Sequence, residues 1–172
     1  MPAKKKNLSE SSGLESINLN KSKIAIITSE WNSDITSSMK DACFKELIKY
    51  GCEENDITSV AVPGAFELPS AAKMLLSNKK LDAIICIGCI IKGESKHDEY
   101  ISNAVATGLM NLSLVSGKPI IFGVLTPNDM QQAIDRSGGK HGNKGVEAAH
   151  TAIKMIHLAE NIKSGDNKKI GF

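Results

Sequence analysis

Blocks of apolar residues alternate with segments of mixed polarity along this chain. Four of the blocks are short and rich in β-branched residues, as strands are, and they cover residues 23–28, 56–64, 81–91 and 119–125. The third block is apolar except for Asp82, and the fourth is nearly as apolar. Runs of this kind are typical of strands that a parallel sheet buries on both faces.

The segments between the strands carry apolar residues at the three- and four-residue spacing of amphipathic helices. A cap at Ser33 or Asp34 is predicted to begin the first helix, and Gly51 to end it. The later helices are predicted over residues 68–78, 98–116 and 146–163, with a short one that begins at a cap at Asn128 or Asp129 and ends near residue 136.

Strands that alternate with helices in this way predict an α/β fold. We expect a three-layer α/β/α sandwich whose four parallel strands are joined by right-handed crossovers. Ligands of such folds bind beyond the carboxyl ends of the strands, so the residues that follow each strand are candidates for function. Trp31 follows the first strand, residues 63–67 the second and residues 92–100 the third, while Phe122 lies within the fourth, close to its end.

The overall composition limits the classes of function that are expected for this chain. The chain has 172 residues, of which 41% are hydrophobic and 23% charged, as in one soluble globular domain. We place that domain at residues 21–172, after a polar N-terminal tail, residues 1–20, that is predicted to be flexible. The tail lacks an apolar h-region and no stretch approaches the roughly 18 apolar residues of a membrane span, so a cytoplasmic protein without a membrane partner is expected. A net charge of +2 is too small to indicate a nucleic-acid partner.

The cysteine and histidine patterns do not favour a metal site. Cys86 and Cys89 form a C-x-x-C pair inside the third strand, but residues three apart on a strand point to opposite faces. We therefore expect two buried thiols. His150 and His157 share one predicted helix without a carboxylate or cysteine at ligand spacing, and they are interpreted as structural.

Gly93, Glu94 and Ser95 lie between the third strand and a helix. Free N–H groups and a hydroxyl at that place suit an anion, although a plain strand-to-helix turn with Ser95 as a cap gives the same pattern. His97 follows at the predicted helix start. An imidazole there can transfer protons near neutral pH, and the alternative is a surface or capping histidine.

Residues 135–145 combine three cations with four glycines. Arg136 offers a planar fork suited to phosphate, and the alternative is a solvated, flexible loop. Trp31 and Phe122 are either core aromatics or walls of a site, and Glu67 is either a helix-entry carboxylate or a ligand-binding group. Their joint placement favours a site with a flat aromatic surface, an anion-binding loop, a proton-transfer group and an arginine.

Five motifs follow one another along the chain: Trp31-Asn32, Pro63-Gly64-Ala65-Phe66-Glu67-Leu68-Pro69, Gly93-Glu94-Ser95-Lys96-His97, Phe122-Gly123-Val124-Leu125-Thr126, and Asp135-Arg136 with Gly142-Asn143-Lys144-Gly145. In this order and at these separations, the motifs closely resemble the lumazine synthase family. The resemblance runs from about Ile24 to the final helix and leaves only the tail uncovered.

The resemblance implies a transferase of riboflavin biosynthesis with a flavodoxin-like form of the predicted sandwich. The family condenses 5-amino-6-(D-ribitylamino)uracil with 3,4-dihydroxy-2-butanone 4-phosphate. The products are 6,7-dimethyl-8-ribityllumazine, inorganic phosphate and water. The amine attacks the ketone to form an imine, phosphate leaves, and the ring closes with loss of water. The resemblance implies neither a metal ion nor an organic cofactor.

The resemblance also assigns residues to the pyrimidine substrate. Trp31 stacks on the heterocycle and Phe122 forms the neighbouring wall. The ribityl hydroxyls are held by backbone groups of two residues and by one carboxylate, while main-chain groups at the end of the third strand frame the ring. The substrate-binding residues are thus Trp31, Ala65, Phe66, Glu67, Cys89, Ile90, Ile91 and Phe122.

The phosphate is assigned to the Glu94 and Ser95 amides, the Ser95 hydroxyl and Arg136, and His97 is assigned as the catalytic proton relay. Two residues depart from the family pattern. Asp98 stands where many members carry an aromatic residue directly after the histidine. Glu94 replaces a residue that is often small, so its carboxylate must point away from a bound phosphate.

The family assembles into pentamers whose active sites are shared between adjacent subunits. Phe122 and Arg136 are therefore expected to face a site built by the neighbour, and the last part of the tail to add a strand to the neighbouring sheet. Some members stop at pentamers or decamers, and others form an icosahedral shell of sixty chains. The short link over residues 136–145, without an insertion, resembles the shell-forming type. Two alternatives keep the fold without catalysis: a flavin-binding module and a structural shell protein.

Overall fold

The computed structural model describes Asn7, Ser9, Glu10 and residues 12–165. Within these residues, a four-stranded parallel sheet has the order β2-β1-β3-β4. The elements are β1 (Ile24–Ser29), α1 (Ser33–Lys49), β2 (Ile57–Val62), α2 (Leu68–Asn78), β3 (Ala83–Cys89), α3 (His97–Ser116), β4 (Ile120–Leu125), α4 (Met130–Arg136), β5 (Ser137–Gly139), β6 (Gly142–Asn143) and α5 (Lys144–Ser164). Strands β5 and β6 form a small antiparallel ribbon.

Helices cover both faces of the sheet, which confirms the predicted three-layer α/β/α sandwich. Helices α1 and α5 pack on one face, with Met39 and Ile153 fully buried between them and the sheet. Helices α2 and α3 pack on the other face through Leu68 and Val105. Because successive strand residues point to opposite faces, β1 contributes alternate residues to the two cores.

Strand β3 lies between β1 and β4 and is buried along its whole length, as its apolar run predicts. Its two cysteines belong to opposite cores, Cys89 beneath α1 and α5 and Cys86 beneath α2 and α3. Burial raises the pKa of the Cys89 thiol to about 11 and raises the pKa of Cys86 still further. The prediction of two buried thiols is confirmed.

The predicted helix caps have different outcomes. Asp129 caps α4, since its Oδ1 accepts a hydrogen bond from the Gln132 N–H at 2.8 Å. The caps predicted for α1, Ser33 and Asp34, are wrong because Asn32 occupies the N-cap position in the left-handed region, with φ at 59°. Asparagine adopts this conformation more readily than most residues do.

The glycine-rich link between α4 and α5 forms the β5–β6 ribbon instead of the flexible loop that was the alternative. Gly142 has φ at 83°, a conformation that glycine adopts without steric cost. The Asn143 Nδ2 group donates to the Ser137 carbonyl at 2.9 Å, and its Oδ1 accepts from the Gly145 N–H at 2.8 Å. Asn143 therefore closes the ribbon and caps α5 at the same time.

The last part of the predicted tail packs on the domain. Leu14 and Leu19 are buried in the core beneath α1 and α5, and the Leu19 N–H donates to the Tyr50 carbonyl at 2.8 Å. Ser9 Oγ accepts from the Asn143 N–H at 3.0 Å. Residues 1–6, 8 and 11, which the prediction of a flexible tail also covers, lie outside the described residues. The burial of Leu14 and Leu19 and the bond to Tyr50 show that residues 14–20 are part of the packed protomer.

Glu46 and His150 connect the two helices on one face of the sheet. His150 Nε2 and Lys49 Nζ lie 2.8 and 2.9 Å from Glu46 Oε1. Burial acts to raise the pKa of Glu46, but its hydrogen bonds to Lys49 and His150 outweigh burial, so the pKa is lowered. His150 thus joins α5 to α1, in line with its interpretation as a structural residue.

Replacing Glu46 by glutamine is expected to lower the free energy of unfolding at pH 7 by about 1–2 kcal/mol, because the variant loses a charge-assisted hydrogen bond. A carboxyl whose pKa is lowered by folding stabilises the protein above its unfolded pKa, and this stabilisation disappears as the pH falls through the folded value. The difference between wild type and Glu46→Gln should therefore shrink below about pH 4.5. Urea unfolding over this pH range measures the difference, with the exposed Glu54→Gln as control. A difference that stays constant in acid would contradict the assignment.

Candidate active site

The loops that follow the strands meet at the carboxyl end of the sheet, because all four strands run in one direction. The Trp31 N–H, after β1, donates to the Pro63 carbonyl after β2 at 3.2 Å. The Ile90 N–H, after β3, donates to the carbonyl of Leu125 at the end of β4 at 2.8 Å. The predicted convergence of these loops is confirmed.

Asn32 connects the two halves of this surface. Its side chain turns away from α1, and Nδ2 donates to the Cys89 carbonyl at the end of β3 at 2.9 Å. Thr36 Oγ1 donates to the Ser29 carbonyl at 2.8 Å and ties α1 to β1. Asn32 was not among the predicted site residues. Besides its place in the Trp31-Asn32 motif, the clue in the sequence is its residue type, since asparagine favours the left-handed conformation that this turn requires.

Aromatic residues that follow β1 and β2 are exposed at this end of the sheet. Trp31 is 73% exposed and Phe66 is 58% exposed. The alternative interpretation of Trp31 as a core residue is therefore wrong for the protomer. An exposed indole beside polar groups offers a flat surface on which a planar ring can stack.

A 3₁₀ turn, Ala65–Glu67, follows β2 and brings a carboxylate to the surface. Glu67 occupies the N-cap position of α2, but among the described residues its side chain caps none of the helix N–H groups. The carboxylate instead lies over Gly64, where a Cβ would be 3.0 Å from Glu67 Oε2. Because Glu67 does not serve as a helix cap, its carboxylate can accept hydrogen bonds from hydroxyl groups.

The end of β3 forms the middle of the surface. Cys89 is buried, whereas Ile90 and Ile91 are half-buried. The Cys89 carbonyl accepts a hydrogen bond from the Asn32 side-chain amide, and the Ile90 N–H donates to the Leu125 carbonyl at the end of β4. These two main-chain groups hold the loops together at the end of β3.

Residues 92–96 form an exposed loop that leads into α3. The alternative in which Ser95 caps this helix is wrong, because Lys96 is the N-cap residue and its side chain makes no capping bond within the described chain. The first N–H groups of a helix need partners from outside the helix. This helix start is therefore suited to bind an anion. His97 is the first residue of α3 and is exposed.

Asp98 reaches back from α3 over this loop. Its Oδ1 accepts a hydrogen bond from the Gly93 N–H at 3.3 Å. With residues that include Lys92, Ser102 and Thr126, Asp98 lines a cleft of about 230 Å³ between the loops that follow β3 and β4. The sequence marks Asp98 as unusual for its position, but the bond to Gly93 depends on the path of the loop and was not predicted.

Phe122 and Arg136 occupy other places in the protomer. The predicted position of Phe122 close to the end of β4 is wrong, because it pairs with Cys86 in the middle of the sheet. Phe122 lines a cavity of about 470 Å³ together with Lys144 and other residues of α3 and α5. The Arg136 guanidinium turns back onto α4, where Nη1 donates to the Gln132 carbonyl at 3.1 Å.

A further concave surface lies at the opposite, amino-terminal end of the sheet. This cavity of about 700 Å³ is rich in lysine and includes Lys23, Lys79 and Lys118. Lys79 and Lys118 follow the C-terminal ends of α2 and α3, where cations offset the helix dipole. The cavity therefore has a structural explanation and is separate from the predicted site.

These features define an α/β/α sandwich protein with exposed aromatic and polar side chains and an uncapped helix start at the carboxyl end of its parallel sheet. Across the described part of the chain, His, Cys, Asp and Glu residues form no group that could hold a metal ion. In the same residues, no helix is long and apolar enough to cross a membrane.

Comparison with known proteins defines the family. The family model described as 6,7-dimethyl-8-ribityllumazine synthase matches residues 21–160. The 6,7-dimethyl-8-ribityllumazine synthase of Cytophaga hutchinsonii is 46% identical over 156 residues, which cover 91% of this chain and 98% of that protein. The enzyme of the same name from Bacteroides fragilis is 47% identical over 134 residues, covering 78% of this chain and 94% of that protein. The chain belongs to the 6,7-dimethyl-8-ribityllumazine synthase family and is a transferase of riboflavin biosynthesis.

Proposed function

We propose that the surface at the carboxyl end of the sheet, completed by a neighbouring subunit, is where the chain condenses 5-amino-6-(D-ribitylamino)uracil with 3,4-dihydroxy-2-butanone 4-phosphate. The products are 6,7-dimethyl-8-ribityllumazine, inorganic phosphate and water. One observation carries the proposal: an exposed indole, Trp31, and an exposed imidazole, His97, lie at the same end of the sheet as an uncapped helix start. The proposed reaction needs neither a metal ion nor an organic cofactor.

The pyrimidine substrate is assigned to the β1 and β2 side of the surface. The exposure of Trp31 supports stacking on the planar ring. The Glu67 carboxylate, which does not cap α2, accepts hydrogen bonds from the ribityl hydroxyls, with backbone groups of Ala65 and Phe66 beside it. Main-chain groups of residues 89–91 frame the heterocycle.

The phosphate of the second substrate is assigned to the start of α3. The Glu94 and Ser95 amides and the Ser95 hydroxyl donate to the phosphate oxygens, where the helix dipole favours negative charge. The Glu94 carboxylate points away from the anion. Arg136 of the neighbouring copy completes the site with its guanidinium fork, exchanging its bond to Gln132 for charge-assisted bonds to phosphate.

The proposed site brings the two reactants together and moves protons between them. The amine of the pyrimidine attacks the ketone carbonyl, and the carbonyl oxygen leaves as water to give an imine. The carbon that bears the hydroxyl group then loses a proton, the bond between the next carbon and the phosphate oxygen breaks, and the resulting enol tautomerises to a ketone. The ribityl-bearing nitrogen attacks this ketone and closes the ring with loss of water. His97 takes a proton from the attacking amine and returns it to a leaving oxygen. Much of the rate comes from holding both molecules in reacting geometry.

His97→Ala is expected to lower kcat by about 10²-fold, the usual contribution of a general acid–base group, while turnover stays measurable. The remaining rate comes from the position of the two substrates, which the substitution leaves intact. Steady-state kinetics across pH, with folding checked by circular dichroism, measures the effect. His157→Ala is the control, because His157 bonds to Asn161 on α5, away from the surface. Complete loss of turnover in a folded His97 variant would contradict this division of the rate.

An apolar surface supports assembly through β4 and the helices near it. Isolated proteins seldom expose apolar patches of this kind, which usually mark interfaces. Its exposed residues include Met110, Phe122 and Met155, which line one cavity beside β4. We infer a homopentamer in which Phe122 and Arg136 complete the neighbour's site, and a shell of sixty chains because residues 136–145 carry no insertion. Sedimentation that gives only pentamers would reject the shell.

We place the protein in the cytoplasm as a single domain. Leu14 and Leu19 belong to its core, which supports the packing of the segment before residue 21 on the domain. Limited proteolysis tests this packing, since cleavage between Leu14 and Leu19 in the native protein would show that the segment is not packed.

The proposed function is tested by mixing the purified protein with both substrates and following the fluorescent lumazine product. Formation of the product at a rate above that of the substrates alone is the expected result. A bound yellow flavin without turnover would indicate a flavin-binding module of the same fold. If neither the product nor a bound flavin is detected, the remaining alternative is a structural shell protein.

A further inference from the structure

The Asp98 carboxylate lies where the proposed site receives the phosphate. Asp98 Oδ1 accepts a hydrogen bond from the Gly93 N–H at 3.3 Å. A Cβ on Gly93 would lie 4.0 Å from this oxygen and 4.0 Å from the Ser95 nitrogen. The Ser95 carbonyl oxygen lies at the same 4.0 Å, so the Asp98 carboxylate and the Ser95 backbone approach the same side of Gly93. An anion bound by the Ser95 amide there has Asp98 as its neighbour.

The bond from Gly93 to Asp98 is one that a stronger acceptor can replace. Its length of 3.3 Å exceeds the usual N–H···O distance of about 2.9–3.0 Å. Asp98 is half-buried and the bond is exposed to solvent, so the carboxylate can rotate away into water. A phosphate with two charges and several acceptor oxygens binds N–H groups at a helix start more strongly than one carboxylate does.

We propose that Asp98 is a specificity-determining residue of the phosphate site. In the empty site its carboxylate holds the Gly93 N–H, and it gives way when phosphate binds. The remaining negative charge beside the site lowers the affinity for phosphate through like-charge repulsion. This inference rests on the proposed function. Its consequence for the reaction is faster release of inorganic phosphate, at the expense of weaker binding of the phosphate-bearing substrate.

The charges around the loop provide a matched comparison. Lys92 and Lys96 flank the loop with positive charge, and Glu99 follows Asp98 in the first turn of α3. Glu99 is exposed and also lines the cleft between the two loops, but within the described residues the Gly93 N–H bonds to Asp98 and not to Glu99. Both substitutions, Asp98→Asn and Glu99→Gln, remove one negative charge from the same helix turn. They differ in whether that charge approaches Gly93.

Asp98→Asn keeps the size of the side chain and an acceptor oxygen for the Gly93 N–H but removes the charge. Isothermal titration of the assembled protein with inorganic phosphate is expected to show a dissociation constant lowered by about five- to tenfold, the effect of one nearby charge at a partly exposed site. The KM for the phosphate-bearing substrate should fall in the same direction, while the KM for the pyrimidine stays unchanged. Glu99→Gln should change the phosphate affinity by less than about twofold, because its charge is further away and screened by solvent.

An unchanged or weaker phosphate affinity in Asp98→Asn overturns the inference and leaves Asp98 as a structural contact of the loop. An equal gain in Glu99→Gln also overturns it, since the effect would then belong to the net charge of the helix start. Absence of phosphate binding in every variant overturns it together with the phosphate assignment, even if lumazine is still formed. The expected affinities without any lumazine formation would refute the proposed function and leave the role of Asp98 at an anion site standing.

Discussion

Replacing Gly145 by alanine is expected to lower the free energy of unfolding by about 3 kcal/mol or more, because no space exists for a methyl group. Gly145 lies in the first turn of α5, where this helix crosses α1. A Cβ there would be 1.9 Å from the carbonyl oxygen of Met39 and 2.6 Å from its carbonyl carbon. These are backbone atoms of a helix whose Met39 side chain is fully buried. The two helices would have to separate, which opens the core between them.

Gly108→Ala is the matched control, since it adds the same methyl group to another helix. A Cβ on Gly108 would lie 3.1 Å from two ring atoms of Pro69, so a shift of a few tenths of an ångström accommodates it. The gain in helix propensity from glycine to alanine, about 1 kcal/mol, offsets the remaining strain. Guanidinium unfolding of both variants at one protein concentration measures the difference. Equal stability of the two variants would contradict the close approach of α5 to α1.

The fold was predictable where the sequence pattern depends on local structure and burial alone. Strand β3 lies inside its predicted range because a continuous run of apolar residues is buried best in the middle of a sheet that helices cover on both faces. Helix α2 has the predicted bounds, since Pro69 in its first turn fits only the start of a helix. These elements fix the order of layers and the end of the sheet at which ligands bind.

The elements that were missed depend on contacts between distant parts of the chain. Asn32 starts α1 in a left-handed conformation because its side chain binds the end of β3, and no local pattern reveals that partner. The β5–β6 ribbon forms because Asn143 bonds to Ser137 and caps α5. From the local sequence alone, the same residues are equally compatible with a flexible glycine-rich loop.

In the candidate site, too, some positions could be predicted from the sequence and others depend on contacts that the sequence does not reveal. The positions of Trp31 and His97 follow from the rule that loops after parallel strands share one end of the sheet. The bond of Asp98 to Gly93 needed the path of the loop. Phe122 and Arg136 lie elsewhere in the protomer, so their assigned roles require a second copy of the chain. Their contribution can be tested only in the assembly.

Arg136→Ala is expected to lower kcat/KM for the phosphate-bearing substrate by about 10²–10³-fold, because the phosphate loses a bidentate charge-assisted partner. Arg136→Lys should recover part of this loss, since an ammonium group keeps the charge but not the fork. Trp31→Ala is expected to raise the KM for the pyrimidine, because the stacking surface is removed. If the two side chains reach a shared site from different subunits, the two impaired variants must complement each other.

Mixed assemblies of Arg136→Ala and Trp31→Ala subunits should therefore recover activity. In a ring with head-to-tail contacts and equal random mixing, about a quarter of the interfaces combine an intact Trp31 from one subunit with an intact Arg136 from the next. The matched control is a mixture of Arg136→Ala with Phe122→Ala. Both residues are assigned to the same side of the interface, so every site in that mixture lacks one of them and no activity returns. Activity is measured after co-refolding, with sedimentation to establish that each variant assembles. Absence of recovery in the first mixture, or equal recovery in both, would mean that Arg136 does not complete the site of a neighbouring subunit.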